Sequence, residues 1–182
     1  QDVDCIDVDN IRGAKNVVDR LIKAGHCRIG MINVLENKDY TADRYAGYEC
    51  AIEDAGIPVD PTLVIQAENS VEGGCSAAKK LLATTRCTAI FCATDTMAIG
   101  VCKAAAEMGL RVPEDFSLAG FDGLGHHLLC TPHVTTVRQP VYEIGERLAK
   151  TLLDRLDGSQ KRICELVVPE VVEGQSVETV PR

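Results

Sequence analysis

Three polar side chains stand where a small hydroxylated ligand could be held by hydrogen bonds. Asp122 and Thr94 each directly follow an apolar run, and Arg44 comes soon after a third. A carboxylate accepts hydrogen bonds from vicinal hydroxyls, while a guanidinium donates several in a fixed planar geometry. These residue types therefore suit recognition of a sugar or a small carboxylate.

Each of these residues also has a purely structural interpretation. Thr94, or its neighbour Asp95, can cap a helix, and a capping residue can bind a ligand at the same time. Asp122 can serve only as a turn former, and its position alone does not choose between the two roles. Arg44 can be an ordinary solvated surface residue.

Metal binding and catalysis find little support in the sequence. His126, His127, Cys130 and His133 are close together, but they lack the paired spacing of a zinc motif. There is no Gly-x-Ser-x-Gly elbow and no phosphate-binding glycine loop, since Gly73-Gly74 falls inside a predicted helix. We expect a binding protein rather than an enzyme, with no metal site and no cofactor.

The elements that must position these residues alternate between short β-branched runs and amphipathic stretches. The predicted strands cover residues 3–8, 28–34, 62–66, 88–93, 116–121, 135–137, 163–168 and 171–172. The predicted helices cover residues 10–24, 42–55, 71–83, 95–108 and 141–156, with Asn10 and Ser70 as caps. Such alternation predicts an α/β fold with a doubly wound parallel sheet. Ligands of such sheets bind beyond the carboxyl ends of the strands, where Thr94 and Asp122 fall.

Composition and charge bear on DNA binding and on the cellular compartment. The chain has 182 residues, 46% of them hydrophobic, and a formal net charge of −8. An acidic surface repels phosphate, so we do not expect these residues themselves to bind DNA. The chain has nine cysteines, an odd number, and most of them lie in apolar runs. No secretory leader or membrane span is visible in the sequence. These features favour a reduced, cytoplasmic protein.

A series of motifs resembles the lac and galactose repressor (LacI/GalR) family. The motifs, in the order in which that family has them, are VDN at 8–10, LIKAGHCRIG at 21–30, RYAGY at 44–48, ATDTMAIG at 93–100, GLRVPEDFSLAGFD at 109–122 and TTVRQP at 135–140. Together they extend over nearly the whole chain, and the segment 109–122 is the most specific of them.

The resemblance implies a periplasmic-binding-protein-like fold of type I with two lobes, preceded by a helix-turn-helix head that binds operator DNA. Residues 9–138 and 170–182 would form the carboxyl-terminal, effector-binding lobe. Residues 1–8 and 140–168 would be fragments of the amino-terminal lobe, and the DNA-binding head would be absent from the sequence.

The resemblance also implies a set of ligand-binding residues. Arg44 matches the arginine that contacts the effector, and Asp122 matches the carboxylate that accepts effector hydroxyls. Thr94 stands where several members have Asn, and Tyr40 lies near the pocket. Glu68 falls near an aromatic that stacks on the effector in many members. A carboxylate there argues against a purely stacked purine and is compatible with a polyol or an amine-bearing sugar.

The expected function is to sense a small effector, a sugar or a derivative, in a DNA-binding transcriptional regulator. A sugar-binding protein of a transport system shares the fold and is the alternative. Family dimerisation surfaces correspond to residues 97–108 and 128–130. The apolar stripe of the helix 141–156 would pack outside the second lobe, so we expect a homodimer or larger assembly, with no membrane partner.

Overall fold

The computed structural model describes residues 4–35, 38–158 and 162–180. Its helices are α1 (Asn10–Lys23), α2 (Asp39–Asp54), α3 (Val71–Thr84), α4 (Asp95–Met108) and α5 (Val141–Leu156). Its strands are β1 (Cys5–Val8), β2 (Ile29–Val34), β3 (Val64–Ala67), β4 (Ala89–Cys92), β5 (Ser117–Ala119), β6 (Thr136–Arg138), β7 (Cys164–Val167) and β8 (Glu170–Val172). The predicted α/β class is confirmed. Residues 1–3, 36–37, 159–161 and 181–182, which the expected lobe boundaries include, lie outside the described part.

The main sheet has the order β3-β2-β4-β5, and every neighbouring pair in it is parallel. All residues of β2 and β4 are buried, as expected when helices cover both faces of a sheet. Helix α1 packs against α2, and α3 packs against α4. The second pair is so close that a Cβ added at Gly74 would overlap the backbone carbonyl of Met97.

Side-chain caps fix where the site helices begin. Ser70 and Thr94 cap α3 and α4, as predicted. Asp9 rather than Asn10 caps α1, because its Oδ1 accepts from the backbone N–H of Arg12 at 2.9 Å. Asn10 is therefore the first helical residue, and its buried side chain is available to contact the site.

The segment after β5 is held to the chain that enters β6. The backbone N–H of Asp122 donates to the carbonyl of Val137 at 2.9 Å, and the N–H of Gln139 donates to the carbonyl of Asp122 at 3.0 Å. Strand β6 pairs with β8 in antiparallel fashion. Two distant stretches of sequence thus meet beside the carboxyl end of the main sheet.

Strands β1 and β7 form a separate parallel pair, which α5 contacts through β1. The guanidinium of Arg155 on α5 donates two hydrogen bonds to the carboxylate of Asp4, which holds the pKa of Asp4 near 2. Much of the apolar surface of α5 is exposed to solvent, with Leu152 at 61% and Leu156 at 75%.

No helix in the described ranges has both the length and the apolar character needed to cross a membrane.

Candidate functional site

A cavity of about 550 Å³ lies beyond the carboxyl ends of β1, β2, β4 and β5. Parallel α/β sheets place ligand sites at this end because the loops after the strands converge there. The residues that line it are Asp7, Val8, Asn10, Lys38, Asp39, Tyr40, Asp43, Arg44, Asn69, Thr94, Asp122, Leu124 and Gln139.

Arg44 projects from α2 to the base of the cavity and is only 4% exposed. Its Nε donates to Asn10 Oδ1 at 2.9 Å, and its Nη1 donates to the carbonyl of Ala93 at 2.5 Å and to Asp122 Oδ1 at 3.1 Å. Its Nη2 has no acceptor among the described residues and is not a buried atom. The guanidinium is therefore fixed in place with one nitrogen free for a ligand.

Two aromatic rings complete the environment of this guanidinium. Its carbon lies 3.6 Å from the ring centroid of Phe121 and 4.8 Å from that of Tyr40. Cation–π contacts of this kind favour the charged form. Burial lowers the pKa of Arg44, and the carboxylate of Asp122 opposes that shift. Since an arginine begins with a very high pKa, the side chain stays cationic.

Asp122 has a strained backbone, with a φ of 124° that non-glycine residues seldom adopt. Strain of this kind persists where the surrounding structure enforces it and is concentrated at functional sites. Asp122 Oδ1 accepts from Arg44 and, at 2.8 Å, from Nε2 of Gln139. Burial raises the pKa of Asp122, while Arg44 and Gln139 work in the opposite direction. Its Oδ2 receives no hydrogen bond from another described side chain.

Thr94 joins two walls of the cavity. Its hydroxyl donates to Asn69 Oδ1 at 2.8 Å and accepts from the backbone N–H of Met97 at 3.3 Å. The hydroxyl is thus both a helix cap and a support for Asn69. The side chain of Asn69 is held at the cavity wall by this contact.

The carboxylate of Asp95 supports the site from below. Asp95 is fully buried, and it accepts from the hydroxyl of Thr136 at 2.6 Å and from the backbone N–H of Gly123 at 2.9 Å. Burial raises the pKa of Asp95 to about 6. Nδ1 of His127 is 3.8 Å from Asp95 Oδ2 and is buried without a hydrogen-bond partner in the described structure. These contacts position the residue that follows Asp122.

The structure brings together four of the five ligand-binding residues expected from sequence. Arg44, Asp122, Thr94 and Tyr40 all line the cavity. Glu68 is exposed and is not among the lining residues, whereas the next residue, Asn69, is. The expectation for Glu68 stays a prediction.

Sequence reasoning missed several lining residues. Asn10 was interpreted as a helix cap, and Gln139 reaches the cavity only because the β6 segment pairs beside Asp122. The acidic residues Asp7, Asp39 and Asp43 carried no motif. Their positions could have indicated a role in the site. Asp7 lies near the end of β1, and Asp39 and Asp43 lie in the first half of α2, which begins at the same edge of the sheet.

Among the described residues, no group of three or more His, Cys, Asp or Glu side chains could hold a metal ion. All nine cysteines, which lie in the described ranges, are free thiols in this structure.

A parallel sheet that carries a polar cavity at its carboxyl edge is the arrangement of an α/β ligand-binding domain. Comparison with known proteins gives the same class, because a family model described as a periplasmic binding protein-like domain matches residues 18–177.

The curated relatives that this chain resembles are transcriptional repressors. The HTH-type transcriptional repressor CytR of Escherichia coli (strain K12) is 37% identical over 170 residues, covering 90% of this chain and 50% of the repressor. The HTH-type transcriptional repressor PurR of Haemophilus influenzae is 33% identical over 182 residues, covering 97% of this chain and 54% of the repressor. The chain thus spans about half the length of these curated relatives.

A solved structure agrees with these relatives. A LacI family transcriptional regulator from Enterococcus faecium with bound ribose superposes with a TM-score of 0.89 at 27% identity, covering 98% of this chain and 67% of that one. The chain belongs to the periplasmic binding protein-like domain family, in its LacI/GalR branch.

Proposed function

We propose that this chain is the effector-binding portion of a transcriptional regulator and that its cavity binds a small hydroxylated molecule, a sugar or a sugar derivative. The observation that carries the proposal is the pairing of Arg44 with Asp122 at the base of the cavity. Arg44 keeps Nη2 and Asp122 keeps Oδ2 available, so the site offers a fixed donor beside a fixed acceptor. A vicinal diol needs this combination, because each hydroxyl both donates and accepts.

Preorganisation supports the same proposal. Arg44 is held by three hydrogen bonds, and Asp122 is held by two backbone hydrogen bonds in a strained conformation. Side chains that are fixed before binding lose little conformational entropy when a ligand arrives. The Enterococcus faecium regulator, whose fold superposes on this chain, contains bound ribose, which makes a sugar the first ligand class to test.

The division into lobes forms part of the proposal. Residues 9–138 and 170–182 would make up the carboxyl-terminal lobe, while 1–8 and 140–168 would belong to the amino-terminal lobe. In support, β1 pairs only with β7 among the described strands, and α5 leaves a broad apolar face uncovered. The remainder of the amino-terminal lobe would cover that face and close the cavity from the other side.

Closure of the two lobes on the effector would change the geometry of a DNA-binding head that precedes this segment. In the full protein we infer a cytoplasmic homodimer or larger assembly that binds operator DNA through that head, with no chemical step. The relatives are named as repressors, which favours this role over sugar uptake by a transport system.

The test is a thermal-shift screen of sugars and nucleosides on the full-length protein, followed by operator binding with and without each hit. The proposal expects at least one sugar-like compound both to raise the melting temperature and to change operator affinity. A ligand that stabilises the protein without any effect on DNA binding would favour the transport alternative. A protein that binds neither ligand nor DNA would overturn the proposal.

A further inference from the structure

One side of the ligand cavity is strongly acidic. Asp39 and Asp43 lie four residues apart on α2 and therefore share a helix face, while Asp7 reaches the cavity from β1. With Asp122 at the base, four carboxylates line the cavity against two cations, Lys38 and Arg44. Arg44 is already paired with Asp122, so the side formed by α2 and β1 keeps three carboxylates against one cation, Lys38 at the start of α2.

Asp43 has no role in the local structure that accounts for its place. It makes no hydrogen bond or ion pair with another described residue, in contrast to Asp9, which caps α1. It also lies beyond the first turn of α2, where the helix dipole stabilises acidic residues such as Asp39. Desolvation, followed by the like charges of Asp39, Asp7 and Asp9, raises the pKa of Asp43.

Like charges gathered around one cavity destabilise the unliganded protein, and a cation in the cavity removes that cost. A resident metal ion does not fit, since no cluster in the described ranges could hold one. A cationic group on the ligand would supply the compensating charge directly at these carboxylates.

We infer that the effector carries a protonated amine, as an amino sugar or an aminopolyol does. This inference rests on the proposed function and adds the charge of the ligand to it. The ammonium group lies against Asp43, near Asp39 and Asp7, while hydroxyls of the same molecule bind Asp122 Oδ2 and Arg44 Nη2. Charge-assisted hydrogen bonds to a carboxylate are shorter and stronger than neutral ones, so the amine contributes both affinity and orientation.

The test is calorimetric titration of the full-length protein with matched sugars that differ in one group. Pentose and hexose scaffolds are each compared as the neutral sugar, the amino sugar and the N-acetylated amino sugar, which keeps the added bulk but loses the charge. For the scaffold that binds best, the amino sugar is expected to bind about 10-fold or more tighter than both of the others.

Two variants locate the effect on α2. Asp43→Asn is expected to abolish the preference for the amine, so that the amino sugar and the neutral sugar bind the variant with similar affinity. Asp54→Asn, the same substitution on the same helix at an exposed residue paired with Lys15, should leave the preference intact.

The outcomes separate the two proposals. Equal or tighter binding of the neutral sugar overturns the amine inference and leaves the proposed function standing. An Asp43→Asn variant that weakens all three ligand forms equally also overturns it, because Asp43 would then be structural. Absence of binding by every sugar and nucleoside would contradict the proposed function itself.

Discussion

The ion pair between Arg44 and Asp122 makes a quantitative prediction about folding as well as binding. Removal of one partner from a buried pair leaves the other charge uncompensated, which costs about 3–5 kcal/mol. Arg44→Met keeps most of the aliphatic stem and removes the guanidinium, together with its contact to the ring of Phe121. Asp122, whose side chain is 21% exposed, would then be a partly buried carboxylate supported by Gln139 and repelled by the carboxylate of Asp95. We therefore expect Arg44→Met to lower the free energy of unfolding by about 3–5 kcal/mol.

The substitution Asp122→Asn leaves the buried charge of Arg44 without its counterion, but the amide oxygen of Asn can still accept from Nη1 and the acceptors at Asn10 and Ala93 remain, so it should cost less, about 1–3 kcal/mol. Burial already disfavours the charge of Asp122, and Asn adopts positive φ more readily than Ala does. In the Asp122→Asn background, Arg44→Met no longer strands a carboxylate, so its cost should fall. The double-mutant cycle should give a coupling energy of about 1–3 kcal/mol.

The assay is urea denaturation followed by circular dichroism, at several protein concentrations so that association is separated from folding. The matched control is the same pair of substitutions at Arg111 and Asp115, an exposed pair spaced i,i+4, where no measurable coupling is expected. If Arg44→Met costs less than 1 kcal/mol (roughly a fivefold change in equilibrium constant) and adds independently to Asp122→Asn, the argument for a buried, preorganised pair is wrong.

Three further predictions follow from other parts of the structure. Because the pKa of Asp95 is raised to about 6, the folded state takes up a proton at higher pH than the unfolded state does. The contribution of this group to the free energy of unfolding therefore rises as the pH falls. Between pH 7 and 5 the wild type should gain roughly 1 kcal/mol in free energy of unfolding relative to Asp95→Asn, measured by urea denaturation. An equal dependence of stability on pH in the two proteins would contradict this. Gly74→Ala should destabilise the chain by about 1–3 kcal/mol because α3 and α4 must separate, whereas Gly145→Ala, with open space on α5, should be neutral or stabilising by about 0.5–1 kcal/mol. The isolated chain should associate through the exposed apolar face of α5 and sediment as a dimer or larger species. Charged substitutions at Leu152 and Leu156 should reduce this association. A compact monomer at micromolar concentration would contradict the expectation that another protein surface covers this face.

Local patterns account for most of the fold. The alternation of apolar runs with amphipathic stretches predicts the succession of strands and helices, and the bounds of α5 coincide with the prediction. Gly109, in a left-handed conformation, ends α4 at the predicted residue. By contrast, α2 begins at Asp39 rather than near residue 42, because its first turn has no capping side chain to mark it.

The site was predictable where a residue follows its own strand directly. Asp122 and Thr94 satisfy that condition, and their positions at the sheet edge follow from the parallel topology alone. Gln139 also follows a strand directly, but β6 is not a strand of the main parallel sheet, and its approach to the cavity depends on the bridge between Asp122 and Arg138, a pairing that no local pattern records. Asn69 rather than Glu68 lines the cavity, because the turn after β3 decides which of two adjacent side chains faces inward.

The measurement that tests the central claim most directly is the affinity of the effector for Asp122→Asn in calorimetric titration of the full-length protein. Loss of a charged acceptor for ligand hydroxyls should weaken binding by about 1.5–3 kcal/mol, or roughly 10-fold to 100-fold. Asp115→Asn, at a residue that does not line the cavity and is paired with Arg111, should bind as the wild type does. Unchanged affinity in Asp122→Asn would contradict the assignment of this cavity as the effector site.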